Sequence, residues 1–141
     1  MRFYTEQHRY YCGIDLHTKT MYICILDETG EIQFHENVPV NADILLDILE
    51  PYLPDIAVSV ECIFTWYWIA DFCEERDIPF VLGHAHYMKA IHGSKTKSDK
   101  LDSEKIAKLL KSGMLPMAYV YPRGLRSTRD LLRRRIHFTR K

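Results

Sequence analysis

The chain has 141 residues, of which 47% are hydrophobic and 27% charged, and its 19 Lys/Arg balance 19 Asp/Glu. That length and composition predict one folded domain with a real core and exclude a disordered chain. No apolar run reaches membrane-spanning length, and the opening MRFYTEQHRYY lacks a signal peptide's apolar segment, which predicts a cytoplasmic protein with no membrane partner.

In chain order, residues 10–16 (YYCGIDL) predict a strand, residues 20–26 (TMYICIL) a second and residues 31–38 (EIQFHENV) a third. The turn residues Asp27-Glu28-Thr29-Gly30 join the last two into an antiparallel meander. Asn41 is a capping residue for a helix through residue 50, whose Ile44, Leu45, Ile48 and Leu49 fall at helical spacing. Pro51 and Pro54 punctuate it. Residues 56–60 (IAVSV) form a wholly apolar run, the pattern of a buried parallel strand. A helix over 65–76, a strand over 79–82 and a helix over 84–91 follow. A lysine-rich loop then leads into KTKSDKLDSEKIAKLLKSG, a helix to which Leu101, Ile106, Leu109 and Leu110 give an apolar stripe. Residues 118–121 predict a last strand. The whole describes a mixed α/β sheet with flanking helices, one domain over residues 8–121. Residues 122–141 read as a basic helix beginning a coiled coil, and the helix lacks an ending signal, as though cut within a longer element.

The zero net charge conceals a division. Residues 1–94 hold 5 Lys/Arg against 15 Asp/Glu, and residues 95–141 hold 14 against 4. The basic part predicts a polyanionic partner. Cys12, Cys24, Cys62 and Cys73 contain no C-x-x-C pair, which excludes a zinc ribbon or dithiol motif. Trp66, Tyr67 and Trp68 predict helix-to-sheet packing rather than base stacking. His84, His86 and His92 are explained by an exposed helix start.

Four acids are harder to explain as structure. Asp15 ends the first strand and Glu61 directly follows IAVSV, at strand carboxyl ends where ligands gather. Asp99 and Asp102 lie three residues apart, on one face of the lysine-rich helix. Each has an ordinary alternative, a solvated strand end or a helix cap and dipole partner. Four carboxylates in converging contexts equally suit shared cations, and an all-oxygen donor set favours Mg²⁺ or Mn²⁺. Two such ions can clamp the attacking and leaving oxygens of a phosphodiester displacement. His17 stands two residues past Asp15 and reads either as a contact to a bound phosphate or as a solvated turn.

G-I-D near the start, V-E about 45 residues on, and K-S-D-K-L-D-S-E-K-I-A after that resemble the DEDD transposases of bacterial insertion sequences, in the family numbered one hundred and ten. The segment from Thr65 to Lys97 and the YVYP leading into basic text are similar too. The resemblance implies a RuvC-like domain with an RNase H fold, in which Asp15, Glu61, Asp99 and Asp102 are the catalytic tetrad holding Mg²⁺. It implies DNA as partner, a structured guide RNA in some members, and a coiled coil leading to a further domain with a nucleophilic serine. The chain ends before such a domain, so the expectation is a fragment. Lys95, Lys97, Lys100, Arg126, Arg129, Arg133, Arg134, Arg135 and Arg140 are the candidates for phosphate contact. Leu125, Leu132 and Ile136 are the seam of a predicted homo-oligomer. Two departures stand out: Cys62-Ile63-Phe64 where a glycine is common, and Ser103 where alanine is common.

Two other classes fit less well. GIDLHTK also resembles the first phosphate turn of actin-like and sugar-kinase ATPases, but His17 and Lys19 replace the expected Gly and Thr and no second glycine-rich loop follows. A non-catalytic nucleic-acid-binding or dimerisation module would use the basic tail alone.

Overall fold

The computed structural model describes residues 2–61, 65–84 and 98–118. Five strands form one sheet: β1 (Tyr10–Leu16), β2 (Thr20–Asp27), β3 (Ile32–Pro39), β4 (Ile56–Glu61) and β5 (Phe80–Gly83), in the order β3-β2-β1-β4-β5. β1, β2 and β3 form the antiparallel meander, while β4 runs parallel to β1 and β5 parallel to β4. Asp27 builds the turn between β2 and β3, its carboxylate accepting from the Thr29 and Glu31 amides at 2.9 and 3.0 Å.

Helices α1 (Ala42–Leu49) and α2 (Tyr67–Glu75) cover one face, and α3 (Asp99–Ser112) covers the other. Asn41 caps α1 as its sequence predicts, accepting from the Asp43 and Ile44 amides at 2.8 and 3.2 Å. A short 3-10 turn, Glu50–Tyr52, ends that segment. Side chains alternate across the strands. Cys12, Ile14, Leu16, Val58 and Val60 pack with Leu45, Leu49, Ile69 and Phe72 toward α1 and α2. Tyr11, Ala57 and Val81 pack with Ile106, Leu109 and Leu110 of α3. Trp66 is 1% exposed within the first of these cores, and Tyr67 and Trp68 pack against it, so the aromatic triplet holds a helix to the sheet.

The glycine of GIDL sets the distance between α3 and the sheet. A Cβ on Gly13 would lie 2.4 Å from both the Ala107 nitrogen and the Ser103 carbonyl oxygen. Helix and strand therefore touch backbone to backbone, and the small residues Ser103 and Ala107, both fully buried, make that possible. Gly113, at φ 73°, stops α3 in the left-handed conformation that favours glycine.

The expected apolar stripe of α3 is corrected at one position. Ile106, Leu109 and Leu110 are buried, but Leu101 is 40% exposed. Leu101 and Ile106 are five residues apart, about 140° around a helix from one another, so Leu101 lies on the side of Lys105 and Lys108. The sheet-facing positions are Ser103, Ile106, Ala107 and Leu110. The chain also returns to the sheet slightly earlier than residues 118–121. Met117 bridges Gly83 and Pro116 bridges Phe3, both antiparallel, and the Ala118 amide donates to Leu82 at 2.7 Å. The helix expected over 84–91, beyond His84, and the basic helix and coiled-coil start expected over 122–141 lie outside the described residues. Among the described residues, no helix is long and apolar enough to cross a membrane.

Candidate metal centre

Asp15 belongs to the α3 side of β1, two positions after Gly13. Ile14 pairs with Val60 in the parallel β1–β4 register. Glu61 is therefore one position past the last pair, next to Asp15 and on the same face of the sheet. Both acids sit at strand carboxyl ends.

α3 runs antiparallel to β1, so its N-terminus arrives at the same end. Ser98 caps the helix by accepting from the Leu101 amide at 3.1 Å, and Asp99 and Asp102 occupy the first turn. That turn is tied to the sheet by His35 of β3. Its Nε2–H donates to the Lys100 carbonyl at 2.9 Å and approaches the Ser103 hydroxyl at 3.1 Å. The Ser103 hydroxyl itself donates to the Lys100 carbonyl at 2.9 Å. Serine at position 103 thus combines the small size needed against Gly13 with a hydrogen bond to the helix start.

Asp15, His17 and Asp99 meet there, their ligating atoms within 4.8 Å of one another. His17 Nε2 lies 3.2 Å from Asp15 Oδ2 and 3.2 Å from Asp99 Oδ1. Burial, which leaves the Asp15 side chain 13% exposed, is the largest influence on its carboxyl. It outweighs the attraction of His17 and, with the like charge of Asp99, raises the pKa from 3.8 to about 6. His17 shows the opposite balance. Partial burial disfavours its charge, but the Asp15 and Asp99 carboxylates outweigh that and raise its pKa.

Two carboxylates from different elements, one of them desolvated, face a nitrogen donor. That donor set suits a divalent cation: the oxygens supply negative charge, and a cation relieves the burial of Asp15. The group of three contains two of the four acids singled out from the sequence. Glu61 stands on the neighbouring strand, and the half-buried Asp102 lies one helical turn along from Asp99. His17 completes the group. Its signal was the D-x-H spacing at a strand end, which returns the third residue toward the face of the first. Lys100 is exposed on the first turn of α3. Lys95, Lys97, Arg126, Arg129, Arg133, Arg134, Arg135 and Arg140 lie outside the described residues.

The sequence profile of the IS110-type DEDD transposases, described as transposase, matches residues 12–141. The chain belongs to this DEDD transposase family. No curated protein matches it by sequence. Among solved structures, this transposase-family chain is similar to Thermus thermophilus RuvC in complex with Holliday junction substrate. The TM-score is 0.58 at 15% identity, over 79% of this chain and 100% of that one. It is likewise similar to a second Thermus thermophilus RuvC structure, with TM-score 0.52 and 16% identity over 77% and 99% of the two chains. At such identities the likeness establishes the fold, which is RuvC-like and RNase H-like.

Proposed function

We propose that this chain is the DNA-acting catalytic domain of a transposase or recombinase, in which Asp15, Glu61, Asp99 and Asp102 hold Mg²⁺ or Mn²⁺ against a phosphodiester. The observation that carries the proposal is the meeting of Asp15 from β1 with Asp99 from α3, 84 positions apart in sequence. A structural cap or a solvated strand end gives no reason for those two carboxylates to converge. When bound, the cation supplies Lewis acidity and neutralises charge on the phosphodiester. The chain's own residues do the rest. Asp15 and Asp99 fix the position of the ion, and the positive end of α3 favours an anionic ligand beside it. Lys95, Lys97 and Lys100 meet flanking phosphates, and the arginines of the basic segment extend the contact along the strand.

The Holliday junction bound in the similar RuvC structure makes branched DNA the first substrate to try. A structured guide RNA, self-association through Leu125, Leu132 and Ile136, and a partner domain carrying a nucleophilic serine complete the proposal from the family resemblance. The test is binding of this chain to a labelled four-way junction and to a linear duplex, by fluorescence anisotropy with and without Mg²⁺. The proposal predicts DNA binding that weakens with salt and tightens severalfold with Mg²⁺, the Mg²⁺ effect vanishing in Asp15→Asn and Asp99→Asn. DNA affinity indifferent to Mg²⁺ and to both substitutions would instead identify a non-catalytic nucleic-acid-binding module.

A further inference from the structure

We propose that His17 is itself a metal ligand, and that its imidazole makes the centre favour a first-row transition cation over Mg²⁺. The inference rests on the reading of the acids as a cation site and specifies which cation that site takes.

His17 Nε2 is 3.2 Å from Asp15 Oδ2 and 3.2 Å from Asp99 Oδ1. Neighbouring ligands on an octahedral ion with bonds of about 2.1 Å are about 3 Å apart. Both separations fit that spacing, so one ion can engage the nitrogen and both oxygens after small side-chain movements.

The backbone explains why the ring is there. The His17 amide donates to the Thr20 carbonyl at 2.9 Å, closing the tight turn from β1 into β2. That bond fixes the main chain and leaves the ring, 46% exposed, over the carboxylates. Among the described residues, its side-chain partners are those two carboxylates alone. A residue needed only to shape the turn would require no such ring.

The chemistry then separates the ions. Mg²⁺ is hard, prefers oxygen donors and retains its waters, whereas first-row transition cations accept imidazole nitrogen more readily, Mn²⁺ the least of them, which makes Mn²⁺ the stringent probe. A centre in which an imidazole joins the carboxylates therefore discriminates in a way that carboxylates alone do not. The opposing possibility is that His17 serves only as a counter-cation to the acids, which a metal must displace. The two predict opposite responses to removing the ring.

The test uses Mn²⁺ as probe. Mn²⁺ binding is followed by the loss of its free-ion electron paramagnetic resonance signal, and Mg²⁺ binding by calorimetry. Wild type, His17→Ala, His17→Gln and Asp15→Asn are compared, with circular dichroism confirming that each is folded. Spin-echo modulation from nitrogen-14 reports an imidazole bound to Mn²⁺ in the wild type, so this readout does not depend on any variant folding. The expected result is nitrogen modulation in the wild type that both His17 variants lose. Mn²⁺ affinity should fall about tenfold or more, and Mg²⁺ affinity should change much less. Absence of the modulation, or His17 variants that bind both ions more tightly, would overturn the proposal while leaving the acidic site standing. Mn²⁺ binding unaffected by Asp15→Asn would overturn the acidic site as well.

Discussion

Gly13 and Ala107 are in backbone contact: a Cβ on the glycine would sit 2.4 Å from the alanine nitrogen. This contact governs the site, because α3 carries Asp99 and β1 carries Asp15 two positions after Gly13. The separation of the carboxylates is set by how closely a helix can approach a strand that lacks a side chain.

Gly13→Ala should therefore be among the most damaging small substitutions in the domain. The obstructing atoms are backbone, which cannot swing aside, so either the helix moves or the strand does. Overpacking of this kind costs about 1–3 kcal/mol, and more when the backbone must shift. Urea denaturation should show a loss at the upper end of that range. Metal affinity should fall with it, because α3 is pushed away from Asp15.

His35→Ala tests the second anchor. It removes the bond to the Lys100 carbonyl and the approach to Ser103 while leaving every acid in place. A cost of about 1–2 kcal/mol is expected, read by thermal or urea unfolding. Cation binding should be weakened rather than abolished.

How far the sequence discloses this arrangement differs from element to element. The meander was plain, because YYCGIDL, TMYICIL and EIQFHENV are bounded by clear turn residues. The run IAVSV marked a buried strand, and its parallel pairing put Glu61 beside Asp15. The acids were conspicuous because each interrupts or ends a patterned element. Contacts between residues far apart in sequence were not readable. No local pattern says that His35 reaches α3, or that Asp99 arrives beside His17. Leu101 is misleading, because an apolar residue in a helical segment reads as part of the buried stripe although its angular position faces the lysines.

The raised pKa of Asp15 gives a pH signature for the metal-free protein. Its carboxyl ionises near 6 in the folded chain against 3.8 ordinarily. The protonated form thus favours folding, a contribution complete below about pH 4 and lost as pH rises through 6. Asp15→Asn should stabilise the metal-free protein at pH 8 by on the order of 1–3 kcal/mol, and the gain should shrink toward zero near pH 4. Saturating Mg²⁺ should reverse the order at pH 8, since only the wild type gains the linkage from binding. Thermal melts at the two pH values, with chelator or with Mg²⁺, measure both effects.

The cysteines supply a test of the core. Burial pushes the Cys24 and Cys73 thiols up to about 12 and raises Cys12 as well. All three should resist alkylation in the native protein and react once it is unfolded. Mass spectrometry after a timed iodoacetamide pulse resolves each position.

The central claim is that acids far apart in the chain form one cation site, and calorimetric titration with Mg²⁺ addresses it most directly. Wild type, Asp15→Ala, Asp99→Ala and Asp102→Ala are titrated under one set of conditions, each checked for folding. The account predicts saturable binding in the wild type that is lost in Asp15→Ala and in Asp99→Ala, and strongly weakened in Asp102→Ala. Wild-type binding that survives both of the first two substitutions, or no wild-type binding at all, would contradict it and leave these acids as a strand end and a helix start.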